Sequence, residues 1–131
     1  MTVEVSARIF ATSTPPSTWP GTSTTYNNQL APFWADLELA ADGAVYWQVK
    51  GEAPNRTLLV QWDRVSLAAM RSALTFQVQL TQAGGVRFEY ATLDGLPAAF
   101  PLLIGLQGVF GRGLEAATTP PSAGSALRVI E

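Results

Sequence analysis

Leu74-Thr75-Phe76-Gln77-Val78-Gln79-Leu80-Thr81, followed across Gly84-Gly85 by Val86-Arg87-Phe88-Glu89-Tyr90, decides the fold class. Successive side chains of a β-strand point to opposite faces. Leu74, Phe76, Val78 and Leu80 therefore share one face, and Thr75, Gln77, Gln79 and Thr81 share the other. Val86, Phe88 and Tyr90 repeat the pattern after the glycine turn. Strict period-two alternation of this length describes a hairpin with one buried face and one wet face.

The segments on either side carry the same signature. Leu58, Val60 and Trp62 alternate with Gln61 and Asp63 in a strand over Thr57–Arg64. Val45, Trp47 and Val49 share a face in Val45–Lys50, so the alternation assigns Trp47 and Trp62 to the core and leaves Tyr46 on the opposite face. Asp42-Gly43 between apolar runs is a hairpin signal, which makes Val45–Lys50 the return of a strand through Phe33, Trp34, Leu37 and Leu39. Gly51–Arg56 makes the next turn. Val65–Ser72 is too short for an independent helix and reads as a connection. Pro101–Val109 is a nearly continuous apolar strand, Gly111–Gly124 a loop, and Ser125–Ile130 the last strand.

At the other end, Val3–Ala11 reads as a strand. Residues 12–29 form a long Thr/Ser/Pro-rich loop containing Pro15-Pro16 and Trp19-Pro20, which disfavour helix and central strand alike. The expectation is all-β: a single antiparallel β-sandwich domain over residues 1–131, with about eight strands and long loops. No internal repeat and no second domain is visible.

Composition narrows the chemistry. The 131 residues are 47% hydrophobic and only 14% charged, with 11 Gly and 9 Pro, which excludes a disordered tail and suits short strands joined often. Eight basic and ten acidic residues give a net charge of −2 with no basic run, against nucleic-acid binding. There is no cysteine and no histidine. Disulfides and thiolate zinc sites are excluded, and the commonest general base is missing. No stretch approaches the roughly 20 apolar residues of a helical membrane span, and Met1–Val5 reads as the start of a strand and not as a secretion signal.

A set of phrases in fixed order carries more than pattern. Leu30-Ala31-Pro32-Phe33-Trp34-Ala35-Asp36-Leu37 precedes Gly43-Ala44-Val45-Tyr46-Trp47, then Val60-Gln61-Trp62-Asp63-Arg64-Val65 and Leu74 to Leu80. Gly85-Val86-Arg87-Phe88-Glu89-Tyr90, Ile104-Gly105-Leu106-Gln107 and Ser122-Ala123-Gly124-Ser125-Ala126-Leu127 follow. This series, covering roughly residues 30–127, resembles the nidogen-like extracellular domain and related β-sandwich modules of bacterial secreted proteins. Such domains commonly carry an Asn-Gly-containing strand before the Ala-Pro-Phe-Trp phrase, and Val5–Phe10 occupies that place without it. The resemblance implies a non-catalytic adhesion or structural module, secreted or at the cell surface, and brings no catalytic residues with it.

Candidate sites follow from residue chemistry. Trp19, Trp34 and Tyr46 are aromatics that could stack on sugars or anchor a protein partner, the basis of a carbohydrate-binding alternative. An accessory domain of a secreted enzyme is a further one. Asp36, Glu38 and Asp42 offer carboxylate oxygens for calcium; the plainer expectation puts Asp36 and Glu38 on a wet face and Asp42 in its turn, with no cofactor. Asp63 and Glu89 stand beside Arg64 and Arg87, so surface ion pairing outweighs a glycosidase carboxylate pair. Asn55-Arg56-Thr57 fits a glycosylation sequon by chance. A protein or glycan partner is expected, and edge strands are open to pairing between copies.

Overall fold

A computed structural model describes residues 29–68, 70–107 and 113–130. The Val3–Ala11 strand, most of the 12–29 loop and Trp19 lie outside them. The described residues are all-β, without helix, in two antiparallel sheets. The strands are β1 (Gln29–Trp34), β2 (Leu37–Glu38), β3 (Ala44–Lys50), β4 (Thr57–Leu67) and β5 (Ala73–Thr81), then β6 (Val86–Asp94), β7 (Leu103–Gln107), β8 (Gly113–Ala117) and β9 (Ser125–Ile130). They fall into two compact units. One comprises residues up to Asp36 with Pro97–Pro120; the other comprises Leu37–Leu96 with Pro121–Glu131.

The first unit holds a three-stranded sheet in the order β1-β7-β8. Leu30 pairs with Leu106 and Trp34 with Leu103, and the register shifts between Ala31 and Trp34. Three steps along β1 match two along β7, so Pro32 and Phe33 sit in a bulge. A bulge is where a strand tolerates a proline, which has no N–H for the ladder. Ala31, Trp34 and Leu103 form a buried cluster. Residues 113–117 are strand where the sequence reads as loop: the Gly-rich flanks hide five residues that pair with β7.

The second unit holds the larger sheet, β2-β4-β5-β6-β9, with β3 paired to β4 beside β2. Its register sets Trp62 against Phe76 and Phe76 against Tyr90. Trp62 and Phe76 stack with ring centroids 5.2 Å apart and planes within 14°. Phe76 and Tyr90 follow at 6.4 Å. These rings, with Leu74, Val78, Val86 and Phe88, are buried, and the β5–β6 hairpin is as the alternation requires. Its turn closes through Gly84 N–H donating to the Thr81 carbonyl at 2.9 Å and Gly85 N–H to Thr81 Oγ1 at 2.7 Å.

Three readings of the sequence need correction here. The run through Phe33, Trp34, Leu37 and Leu39 is not one strand: β1 and β2 belong to different sheets. Asp42-Gly43 does not reverse the chain. Both β2 and β3 pair antiparallel with β4, Glu38 opposite Ser66 and Ala44 opposite Asp63, so they run the same way along one side of it. Leu39–Gly43 is an excursion within that edge. It meets a bulge in β4, where the register shifts between Trp62 and Val65 and Arg64 takes φ 51°. The Arg64 N–H donates to Thr75 Oγ1 at 3.1 Å. A Cβ on Gly43 would lie 2.7 Å from the Arg64 carbonyl oxygen, so this glycine serves close approach and not a hairpin turn.

The third correction follows from the bulge. β4 continues to Leu67, where a connection was expected to begin at Val65. Two serines tie the end of β4 to the residues before β5: Leu67 N–H donates to Ser72 Oγ at 2.7 Å, and Ser66 Oγ to the Met70 carbonyl at 2.9 Å.

Candidate functional site

The β3 strand is flanked on one side by β4 and, among the described residues, by no strand on the other. Every residue from Val45 to Lys50 is exposed. Trp47 is opposite Val60 and continues the row Val60, Val78, Phe88, Leu127, so alternation assigned its face correctly. The assignment to the core is nevertheless wrong, because Trp47 is 74% exposed where Trp62 on the next strand is 3%. Sharing a face with core residues does not bury a side chain on the outermost strand. Val45 and Val49 flank Trp47 on that face and are also exposed.

The opposite face begins with Tyr46, 55% exposed, and runs through Gln61, Gln77, Glu89 and Ala126. A parallel row holds Gln48, Leu59, Gln79, Arg87 and Arg128. A shallow depression of about 620 Å³ lies over Tyr46, Gln48, Leu59, Gln61, Gln77 and Gln79, with Trp47 and Lys50 at its β3 side. Its chemistry is mainly amide: planar donor–acceptor groups at the strand spacing of about 4.8 Å, beside one phenol, one indole and the Lys50 ammonium. Gln77 Nε2 donates to Glu89 Oε2 at 2.7 Å, and Glu89 pairs with Arg87 at 2.9 Å. That ties together three residues of the face and sets the Glu89 and Arg87 charges against each other.

The other sequence candidates are scattered. Trp34 is 8% exposed and belongs to the buried cluster with Ala31 and Leu103, which takes its ring out of any exposed patch. Asp36 is half-buried, Glu38 and Asp42 exposed. Asp42 faces Arg64 at 3.7 Å. Among the described residues no three acidic side chains gather into a group that could hold a metal.

Arg64 also holds Asp63 at 3.0 Å, and that hydrogen bond raises its guanidinium above the ordinary value. Asp63 and Glu89 are thus ion-pair partners of their arginine neighbours, as the sequence indicated. Burial pushes the Tyr90 phenol up. Sequence reasoning missed the exposure of Trp47 and the gathering of Gln48, Gln61, Gln77 and Gln79 on one face.

A family model described as NIDO related matches residues 7–129. The chain belongs to the NIDO-related family. The match spans the phrases that resemble the nidogen-like domain, together with most of the segment that precedes them. Neither the curated proteins nor the solved structures contain a match to this NIDO-related chain.

Proposed function

We propose that this NIDO-related domain is a non-catalytic interaction module, secreted or displayed at the cell surface, that adheres through the β3 ribbon. Nidogen-like modules are extracellular and non-catalytic, which supports the setting. The observation that carries the reading is the exposed strand Ala44–Lys50 with Trp47 and Tyr46 on its two faces. Large aromatics left in water on a regular, hydrogen-bonded element suit a contact surface, since aromatic anchors dominate binding energies. The carboxylates nearby are tied to arginines, and no histidine or cysteine exists to activate a nucleophile.

The test is retention of cells. A surface coated with the purified domain is expected to hold cells of the encoding species, and Trp47→Ala with Tyr46→Ala to reduce retention at least about tenfold, the equivalent of one modest hot spot. Retention no greater than on an albumin-coated surface would overturn the reading.

A second reading has its own observation, the glutamine face. Amides in rows beside Tyr46, with Lys50 the single charge lining the depression, match the hydroxyls of a neutral polysaccharide. Calorimetric titration with a panel of neutral polysaccharides is expected to give saturable heat that Gln61→Ala abolishes. Flat titrations across the panel would remove this reading and leave the first untouched.

A further inference from the structure

We infer that the β3 edge pairs with the β3 edge of a second copy, antiparallel about Trp47, joining two larger sheets into one. The inference rests on the contact role given to β3 above and names the partner. A strand edge presents unpaired N–H and C=O groups, and proteins ordinarily protect such edges with charges, proline or short length. The β3 strand has seven residues, no proline and a single charge, Lys50 at its end. Among the described residues nothing pairs its outer side.

The sequence of the strand selects the partner and the direction. With Trp47 on the two-fold axis, Val45 of one copy lies opposite Val49 of the other, Tyr46 opposite Gln48, and Ala44 opposite Lys50. All seven residues find a counterpart. One face of the junction becomes an unbroken apolar row, Val45, Trp47 and Val49 against their symmetry mates, and continues the row Trp47, Val60, Val78, Phe88 within each copy. On the other face each copy brings Ala44, the Tyr46 phenol, the Gln48 amide and the Lys50 ammonium.

Charge settles the alternatives. In the register centred on Trp47, the two Lys50 ammoniums stand six residues apart along the junction. That is about 20 Å, beyond the screening length at physiological salt. A parallel pair would place Lys50 directly against Lys50. A register centred on Val49 would bring the two lysines within about 7 Å and leave half the strand unpaired. Only the Trp47-centred antiparallel register both pairs the whole strand and separates its charges. A two-strand junction of this size is small, so association is expected to be weak and visible only at raised concentration.

Sedimentation velocity on the purified protein tests this, from about 5 to 500 μM, the range where a weak interface populates both states. The wild type is expected to pass from monomer to dimer. Trp47→Lys, which sets two ammoniums face to face on the axis, is expected to stay monomeric at every concentration, with an unchanged circular-dichroism spectrum and melting temperature because Trp47 is exposed. Trp47→Glu alone is expected to do the same, and an equimolar mixture of the two variants to associate again. Three results would overturn the inference: a wild type that is monomeric throughout, a Trp47→Lys variant that dimerises like wild type, or a mixture that stays monomeric. A monomeric protein that still retains cells would remove the pairing and keep the adhesive role; a dimer that retains none would do the reverse.

Discussion

Phe76→Ala is expected to lower the unfolding free energy by about 3–5 kcal/mol, the range for truncating a buried phenylalanine. Phe76 is 1% exposed. It sits in the middle of the aromatic row, stacked on Trp62 on one side and against Tyr90 on the other. Truncation removes the ring's own burial, and two large neighbours on paired strands lose a contact each. They cannot close the gap without leaving their places in the ladder. Against a total stability of about 5–15 kcal/mol for a domain, that loss threatens the fold at physiological temperature. Urea denaturation is the measurement: the midpoint should fall with little change in slope. Phe76→Leu, which keeps most of the volume, should lose clearly less. Equal losses for the two variants would mean that ring packing is not what Phe76 contributes.

Gly95→Ala is expected to cost about 2–4 kcal/mol, more than a turn glycine usually does, because two separate penalties coincide. Gly95 follows the last residue of β6 with φ +79°. An L-residue there pays about 1–2 kcal/mol for the left-handed conformation. An added Cβ would also strike the Arg71 carbonyl oxygen and lie 2.9 Å from the Ser72 Cα, both backbone atoms that cannot swing aside. They precede β5, whose first residue, Ala73, pairs with Asp94, so any shift disturbs the start of the central hairpin. Asparagine tolerates positive φ but carries the same Cβ. Gly95→Asn should therefore be nearly as damaging as Gly95→Ala in thermal denaturation. Substantial rescue by asparagine would show that conformation, and not collision, sets the cost.

The two halves of the fold were unequally legible. In β5 and β6 the alternation gives the face, and the face is buried, so Phe76, Val78, Phe88 and Tyr90 are where the pattern puts them. In β3 the same pattern gives the face alone. Burial depends on what lies over a strand and beside it, which Val45, Trp47 and Val49 do not encode, so Trp47 was assigned to the core and lies in solvent. Asp42-Gly43 carries the residues of a hairpin turn, but Gly43 answers the Arg64 carbonyl across the sheet, a long-range demand invisible from its neighbours. Trp34 was offered as a binding aromatic from its residue type, whereas its place is fixed by pairing with Leu103, far along the chain. Gly113–Ala117 was lost for a related reason: its glycine-rich flanks read as loop, and only the pairing to β7 makes it a strand.

The division of the chain between its two sheets has a consequence for the order in which a ribosome can deliver them. From β3 to β6 each strand pairs with the next in sequence, so this meander needs only short closures and can form as it emerges. Leu30 must instead wait for Leu106, with the whole meander between them. During synthesis β1 lacks its β7 partner until Leu103–Gln107 exist, and β9, later still in the chain, then completes the larger sheet against β6. The emerging chain thus carries an apolar segment, Leu30 to Trp34, without its sheet partner while the whole meander is made.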